Sequence, residues 1–400
     1  MGTKNPADGV GGASGSRLRF LDLERLRIAR QRLRDGRSPL IDSIDALRRE
    51  TKRARQLGPL SVVDGKPVVA PSGDPHDFVS IPSYHWPNPD TLDGLPWVFV
   101  DGKKNPQVRR FDSRKLFWLI ANVEILTLSA WYLEDPSASE RAALLLRTWF
   151  LDPKTCMNPH LAYAQLEPGR ERGHSMGIID FQRSYLLLDL VQLLRIQGDT
   201  ITNQDLDGMR RWFSSLLNWL TTADAGSEEC SRRNNHGTWY DVQVVAYSLF
   251  LGDLDGAANW LRSRTLPRMD CQITASGEQP LEAQRVTALQ YCVFNLFGLC
   301  VLAEFGRHVN VDVWNHVGAG GQTIRSALDW LLPSLTGNGT IDGPITKTRG
   351  TFSVGAEATM TLRLAAERFA DDRYEHALNQ LTLKTTGCRS ELLLPPMRTP

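Results

Sequence analysis

The stretch Leu116-Phe117-Trp118-Leu119-Ile120-Ala121-Asn122-Val123-Glu124-Ile125-Leu126-Thr127-Leu128 decides the fold class. Leu116, Leu119, Ile120, Val123, Leu126 and Leu128 fall on one face at the helical period, so the segment reads as an amphipathic helix over 112–134. The same periodicity recurs at 137–151, 176–197, 203–222, 237–251, 255–267, 281–306, 321–333 and 354–381. Stop and start signals separate these segments. Asp135-Pro136-Ser137 divides the first two, and Gly198-Asp199 ends the third. Strand alternation is confined to short pieces such as Trp97–Val100. Successive helices of similar length on short loops pack as antiparallel hairpins, and hairpins around a common axis form an α/α toroid, an incomplete helical barrel. An α-solenoid is the competing arrangement, but its repeat signature is missing from the sequence.

Outward from these helices the character changes. Gly58 to Pro106 is rich in proline, glycine and aspartate, which excludes long helices and makes it a loop region able to wrap the open end of the toroid. From Arg17 to Arg55 there are 13 basic and 6 acidic residues with Leu18, Leu21, Leu26 and Ile28 interleaved. A solvated rim helix explains this pattern more simply than a face for an anionic partner. Residues 1–16 are a polar lead-in without the apolar core of a signal peptide. The domain expectation is a flexible 1–16 and a single domain over 17–400, with the wrap at 58–106 and the helical hairpins at 107–385.

The chain of 400 residues carries 46 Lys and Arg against 45 Asp and Glu, a net charge of +1. This balance argues against a nucleic-acid partner, which usually demands a basic excess. No uninterrupted apolar run approaches the roughly 18 residues of a membrane span, so a membrane partner is not expected. The six cysteines lack metal-ligand spacing, although a disulfide among Cys156, Cys230, Cys271 and Cys388 stays open. The sequon Asn338-Gly339-Thr340 is compatible with secretion. Oligomeric state is unreadable.

The chemistry concentrates in Arg232-Arg233-Asn234-Asn235-His236-Gly237-Thr238-Trp239-Tyr240-Asp241. Cations, amides, an imidazole and ring faces in one decapeptide suit an acidic sugar, because guanidinium and amide groups bind carboxylates and aromatic faces stack on pyranose rings. The plainer reading makes Asn234 or Asn235 a helix cap and His236 a structural histidine. A second stretch runs from Glu278 through Gln279, Pro280, Glu282 and Arg285 to Tyr291, where Tyr291 can equally be a core aromatic. Two loops dense in polar groups complete the set, Ala164 to His174 and Tyr84 to Pro89.

Asn234-Asn235-His236-Gly237-Thr238-Trp239-Tyr240-Asp241 closely resembles the signature of the alginate-lyase-like polysaccharide lyases. The resemblance extends in order through Tyr84-His85-Trp86-Pro87-Asn88-Pro89, Gly94-Leu95-Pro96, Asp101-Gly102, Asn105-Pro106, Ala164-Gln165, Gly177-Ile178-Ile179-Asp180, and Gln279-Pro280 with Glu282, Arg285 and Tyr291. It implies an α/α toroid with a long groove and β-elimination on a 1,4-linked polyuronate, without cofactor or metal. In that scheme Asn235 and Arg285 neutralise the carboxylate beside C5, while His236 and Tyr291 move protons. Tyr291 serves as base and acid in a syn elimination, or as acid with His236 as base for the opposite C5 configuration. A basic Tyr291 needs a lowered pKa, for which Arg285 is the expected cause. The expected substrate-binding residues are Tyr84, Trp86, Tyr163, Gln165, Arg170, Arg172, Asn234, Trp239, Tyr240 and Glu282.

In typical alginate lyases of this kind the catalytic tyrosine falls at the position that Phe294 occupies here, whereas Tyr291 matches an earlier tyrosine of the same run. The chain therefore resembles a sister branch acting on glucuronan-like polymers. Family members usually meet extracellular polymers, so secretion or a periplasmic location is expected, with the signal outside this sequence. A glycoside hydrolase is the enzymatic rival and would need two flanking carboxylates, with Asp180, Asp241 and Glu282 available. A catalytically inactive polyuronate-binding protein would keep Trp86, Trp239 and the arginines but have no need of a paired His236 and Tyr291. Arg170, Arg172, Arg232, Arg233 and Arg285 supply the local positive set that a nearly neutral protein needs for a polyanion.

Overall fold

Helical periodicity becomes helix almost throughout the computed structural model, which describes residues 18–336, 355–382 and 388–397. The lead-in 1–16 and the sequon at Asn338 lie outside the described residues. The basic N-terminal segment folds as α1 (Leu23–Arg34) and α2 (Ile41–Ala54). The proline-rich wrap follows, carrying a small antiparallel hairpin of β1 (His85–Trp86) and β2 (Val98–Phe99) with His85 opposite Phe99. Next come α3 (Asp112–Leu133), α4 (Pro136–Phe150), α5 (Ser184–Gln197), α6 (Asn203–Thr222), α7 (Asp224–Cys230) and α8 (Asn235–Leu251). The chain continues through α9 (Leu254–Trp260), a π-helical turn (Leu261–Thr265), α10 (Leu266–Gln272), α11 (Pro280–Ala283) and α12 (Ala288–Arg307). It ends with α13 (Ile324–Thr336), α14 (Gly355–Phe369), α15 (Asp372–Thr382) and α16 (Ser390–Leu393).

The inner layer runs α3, α5, α8, α12, α14, each helix packed on the next. Against it lie α2 and α4 on α3, α6 and α9 on α8, α13 on α12, and α15 on α14. Contacts of α16 with α14 and with α2 bring the two ends of the arc together. This is the α/α toroid of helical hairpins. One apolar core extends from Leu18 to Leu394, and each fully buried Leu, Ile or Phe in it contributes about 1.5–3 kcal/mol. α6 shows how the sequence builds one such helix. Thr202 and Asp205 form a capping box at its start, while Leu206, Met209, Trp212, Phe213, Leu216 and Leu220 give it a single buried face.

Two sequence expectations need correction. The segment 176–197 is divided into a 3-10 stretch (Ser175–Phe181) and α5, because Gly177 is pressed so closely on Ala164 that a Cβ there would lie 2.5 Å from the alanine methyl. The segment 281–306 is likewise broken between α11 and α12, and the break carries Arg285. Helices α3 and α12 are long and apolar enough to cross a membrane by length and composition, but 78% of each apolar window is buried inside the fold. They are core helices of the inner layer. The six cysteines are all free thiols.

A small second core positions the wrap. Ala70, Val79, Ile81, Phe111 and Leu166 pack together with Trp97, Val108 and Tyr163 against them. Val79 also pairs with Tyr163 in an isolated parallel bridge, so the β1–β2 segment and the 161–174 loop are held as one wall.

Candidate active site

The Asn234–Asp241 segment forms the first turns of α8, and each side chain has a defined task. Asn234 is the N-cap, its side chain accepting from the His236 N–H. Asn235 donates its backbone N–H to Glu282 Oε1 at 2.6 Å and its side-chain amide to Oε2 at 2.8 Å. His236 Nδ1 lies 2.7 Å from Glu229 Oε1 on α7. A carboxylate can only accept, so Nδ1 carries the proton, and it is Nε2 that bears the lone pair whenever the ring is neutral. Gly237 is required by crowding: a Cβ would sit 2.1 Å from Arg268 Nη1 and 2.2 Å from the Arg232 carbonyl. Thr238 donates to Gln272 at 2.9 Å, and Asp241 binds Arg268 through Oδ2 at 2.7 Å and Oδ1 at 3.1 Å.

Trp239 and Tyr240 are corrections to the expected substrate-binding set. Both are 1% exposed. Trp239 stacks on Phe294 with ring centroids 4.8 Å apart, and Tyr240 donates its hydroxyl to the Leu220 carbonyl at 2.7 Å. They are core residues, buried because α8 is an inner helix. Phe294 is a packing partner of Trp239.

The second cluster joins the α11–α12 break to the wrap. Arg285 Nη2 donates to Tyr291 OH at 3.0 Å, and the guanidinium carbon lies 3.9 Å from the Tyr291 ring centroid. The same guanidinium grips Asp101 with Nε at 3.1 Å and Nη2 at 2.7 Å. Tyr291 OH in turn donates to Tyr84 OH at 3.2 Å. Tyr291 thus faces polar groups at the wall of the wrap and is not a core aromatic. Its expected lowered pKa is overturned: burial raises it, the neighbouring Tyr84 adds to this, and the opposing charge of Arg285 is not enough. The hydrogen bonds from Arg285 hold Asp101 below the usual carboxylate range. Glu282 connects the clusters. Burial pushes its carboxyl up, while the hydrogen bonds from Asn235 and the charges of Arg285 and His236 oppose that rise.

The remaining expected residues lie along the wrap and loop. Gln165 adopts a left-handed backbone (φ 52°), donates its N–H to Ser80 Oγ at 2.8 Å, and reaches Asp180 Oδ1 at 3.4 Å. Asp180 also accepts from Ser80 Oγ at 2.5 Å, and the protein packed around its carboxyl raises it to about 6. Tyr163 meets His160 edge-on at 6.1 Å. Trp86 donates to the Lys103 carbonyl at 2.8 Å, with Lys103 Nζ 4.6 Å over its ring. Arg172 and Arg233 are exposed, whereas Arg170 is paired with Glu167 and Arg232 with Glu228.

Sequence reasoning missed Asp101 and Glu229 as partners. Asp101 lies 184 residues from Arg285, and Glu229 precedes His236 by 7 residues in another helix. It also missed a group of possible metal ligands, His85, Glu167 and His174. Glu167 Oε1 lies 2.8 Å from His174 Nε2 and 3.6 Å from His85 Nε2, and Oε2 accepts from Arg170 Nε at 2.9 Å. Burial pushes the Glu167 carboxyl up, but the His174 and Arg170 hydrogen bonds outweigh this and hold it below its ordinary value.

A helical toroid with an imidazole, a guanidinium-bound tyrosine and a buried amide along its wrapped end is the framework of a polysaccharide lyase, an enzyme of the carbon–oxygen lyase class. The alginate lyase family profile matches residues 61–341, and the chain belongs to that family. An alginate lyase from Bacteroides ovatus is 32% identical, with 96% of this chain and 100% of that one covered and a TM-score of 0.89. Alginate lyase A1-III from Sphingomonas species A1 is 15% identical over 88% of this chain and 95% of that one, with a TM-score of 0.54. A variant of A1-III complexed with a tetrasaccharide is 13% identical over 95% and 96%, also at 0.54, and these two show a shared fold. Among curated proteins none matches.

Proposed function

We propose that the protein cleaves 1,4-linked polyuronates, alginate-type polymannuronate or β-1,4-glucuronan, by β-elimination that leaves a 4,5-unsaturated uronate. The observation that carries this reading is the Arg285–Tyr291–Tyr84 chain of hydrogen bonds, which aims a phenol and a cation at one place. Arg285 and the Asn235 amide offset the charge that develops on the substrate carboxylate as the C5 proton leaves. Asn235 Nδ2 already donates to Glu282, so the amide acts on substrate through a rearrangement of that bond. Tyr291, held protonated by burial, supplies the acid toward the departing O4. Because burial holds the phenol protonated, His236 Nε2, with Nδ1–H fixed on Glu229, takes the C5 proton of these polymers too, in place of the Tyr291 base expected for a syn elimination. The C5–H electrons form the C4=C5 bond as the C4–O4 bond breaks, and the proton from Tyr291 ends on O4.

The hydrolase reading finds no free pair among the three acids named for it. Asp241 is bound by Arg268, Glu282 by Asn235, and Asp180 by Ser80 and Gln165. The test is ultraviolet absorbance of the unsaturated product on polymannuronate, polyguluronate and polyglucuronate separately. Absorbance on one or more supports the reading and ranks the polymers, and silence on all three overturns it. Action on polymers of this kind fits a protein exported from the cytoplasm, which cell fractionation of the native host would test.

A further inference from the structure

We propose that His85, Glu167 and His174 form a divalent-cation site, of the kind that takes zinc, fastening the β1–β2 hairpin to the 161–174 loop. His85 comes from the hairpin and Glu167 and His174 from the loop, and their ligand atoms all lie within 4.8 Å of one another. Two imidazoles and one carboxylate are a common zinc donor set. The Glu167 Oε1 separations of 2.8 Å from His174 and 3.6 Å from His85 bracket the roughly 3.4 Å edge of a tetrahedron with bonds of about 2.1 Å.

Two further features point to a ligand. Arg170 Nε occupies Glu167 Oε2 at 2.9 Å, which turns the other oxygen toward both imidazoles, as an outer partner orients a metal-binding carboxylate. His85 is the orphan of the group. Neither of its ring nitrogens makes a hydrogen bond among the described residues, and Nδ1 is buried. Nε2 lies 3.6 Å from Glu167 Oε1, beyond hydrogen-bond distance, and in the neutral ring its lone pair is available to a cation. The ring lies 5.8 Å from that of His174 with the two planes 26° apart. Three protein ligands leave a fourth position, open where His174 is 25% and His85 15% exposed, for water or an anionic oxygen. His85 adjoins Tyr84, so the cation fixes the wall that carries the hydrogen-bond partner of Tyr291.

The experiment uses the full chain, stripped with chelator, dialysed, and titrated with Co²⁺ and with Zn²⁺ near neutral pH. One Co²⁺ per chain, with the visible absorbance of a four-coordinate nitrogen–oxygen site, is expected, and Zn²⁺ should raise the melting temperature. Glu167→Gln and His174→Ala should each weaken binding by more than about 100-fold. His316→Ala, remote from the cluster, should bind as the wild type does. Circular dichroism checks that each variant folds, and Glu167→Gln keeps the shape of the side chain if His174→Ala does not fold. Wild-type protein that takes up neither metal overturns the proposal, as does a folded His85→Ala/His174→Ala double variant that still binds one equivalent. Because no substrate is present, the result is independent of the lyase reading.

Discussion

Arg285 holds Tyr291 in two ways at once, with its guanidinium carbon 3.9 Å from the ring centroid and Nη2 3.0 Å from the phenol oxygen. The contact couples the group proposed to neutralise the carboxylate to the group proposed to protonate O4. Tyr291→Phe keeps the ring face and removes only the hydroxyl. It should lower kcat by about 10²–10⁴-fold with little change in melting temperature, measured by product absorbance and thermal unfolding. A fully active Tyr291→Phe would remove the tyrosine from the mechanism.

Asp101 fixes the other side of the same guanidinium. Asp101→Asn leaves a similar shape but removes the charge, so Arg285 should wander and kcat/KM should fall by about 10–100-fold. The ion pair is partly exposed, and its loss should change stability by less than about 1 kcal/mol. A large fall in melting temperature with unchanged kcat/KM would assign Asp101 to the fold alone.

Glu229→Gln tests the histidine. The amide can present its NH₂ to Nδ1 and favour the tautomer with the proton on Nε2, where a base cannot use it. The expected fall in kcat is about 10²–10⁴-fold, with substrate binding retained. His236→Ala should fall at least as far.

Trp239 separates packing from sugar stacking. Trp239→Ala should destabilise the fold by about 3–5 kcal/mol, because it empties the space beside Phe294 and Phe297. Trp239→Phe should recover much of that stability together with activity. Unfolding in denaturant gives the first quantity. An Ala variant with wild-type stability and a raised KM would restore Trp239 to the groove.

The acid limb of stability should report Asp205, whose pKa is lowered to about 2 mainly by hydrogen bonds from Arg147, with the Thr202 cap adding to it. A depressed carboxylate stabilises the fold above its unfolded value and loses that contribution as pH falls through the folded one. The effect should therefore disappear between about pH 4 and pH 2, and Asp205→Asn should flatten the stability curve across that window. An unchanged curve would show that another group carries it.

Much of the helical frame was legible because apolar spacing alone sets it. Helix α6 spans 203–222 as its pattern predicts, and α3 ends within a residue of expectation. The breaks were not legible where they depend on distant contacts. Nothing local announces that Gly177 must fit against Ala164 or that the chain must open at Arg285 to reach Asp101. The candidate site shows the same division. His236, Asn235, Arg285 and Tyr291 stood in the signature segments, but the pairing of Asp101 with Arg285, of Glu229 with His236 and of His85 with its cluster is a product of the tertiary fold. Trp239 and Tyr240 misled because an aromatic looks the same in sequence whether it faces a sugar or a core.

The π-helical turn Leu261–Thr265 adds one residue to the helical path between α9 and α10. Each residue advances an α-helix by about 100°, so that single insertion sets the azimuth of everything after it. Trp260 and Thr265 meet Asp241 from either end of the turn, and Arg268 beyond it reaches across Gly237 to the same carboxylate. Restoring a regular helix would swing Arg268 by about 100° away from Asp241 and from the carbonyls of Cys230 and Arg232. The alignment of the segment bearing Asn235 and His236 is thus written as a phase offset in a neighbouring helix.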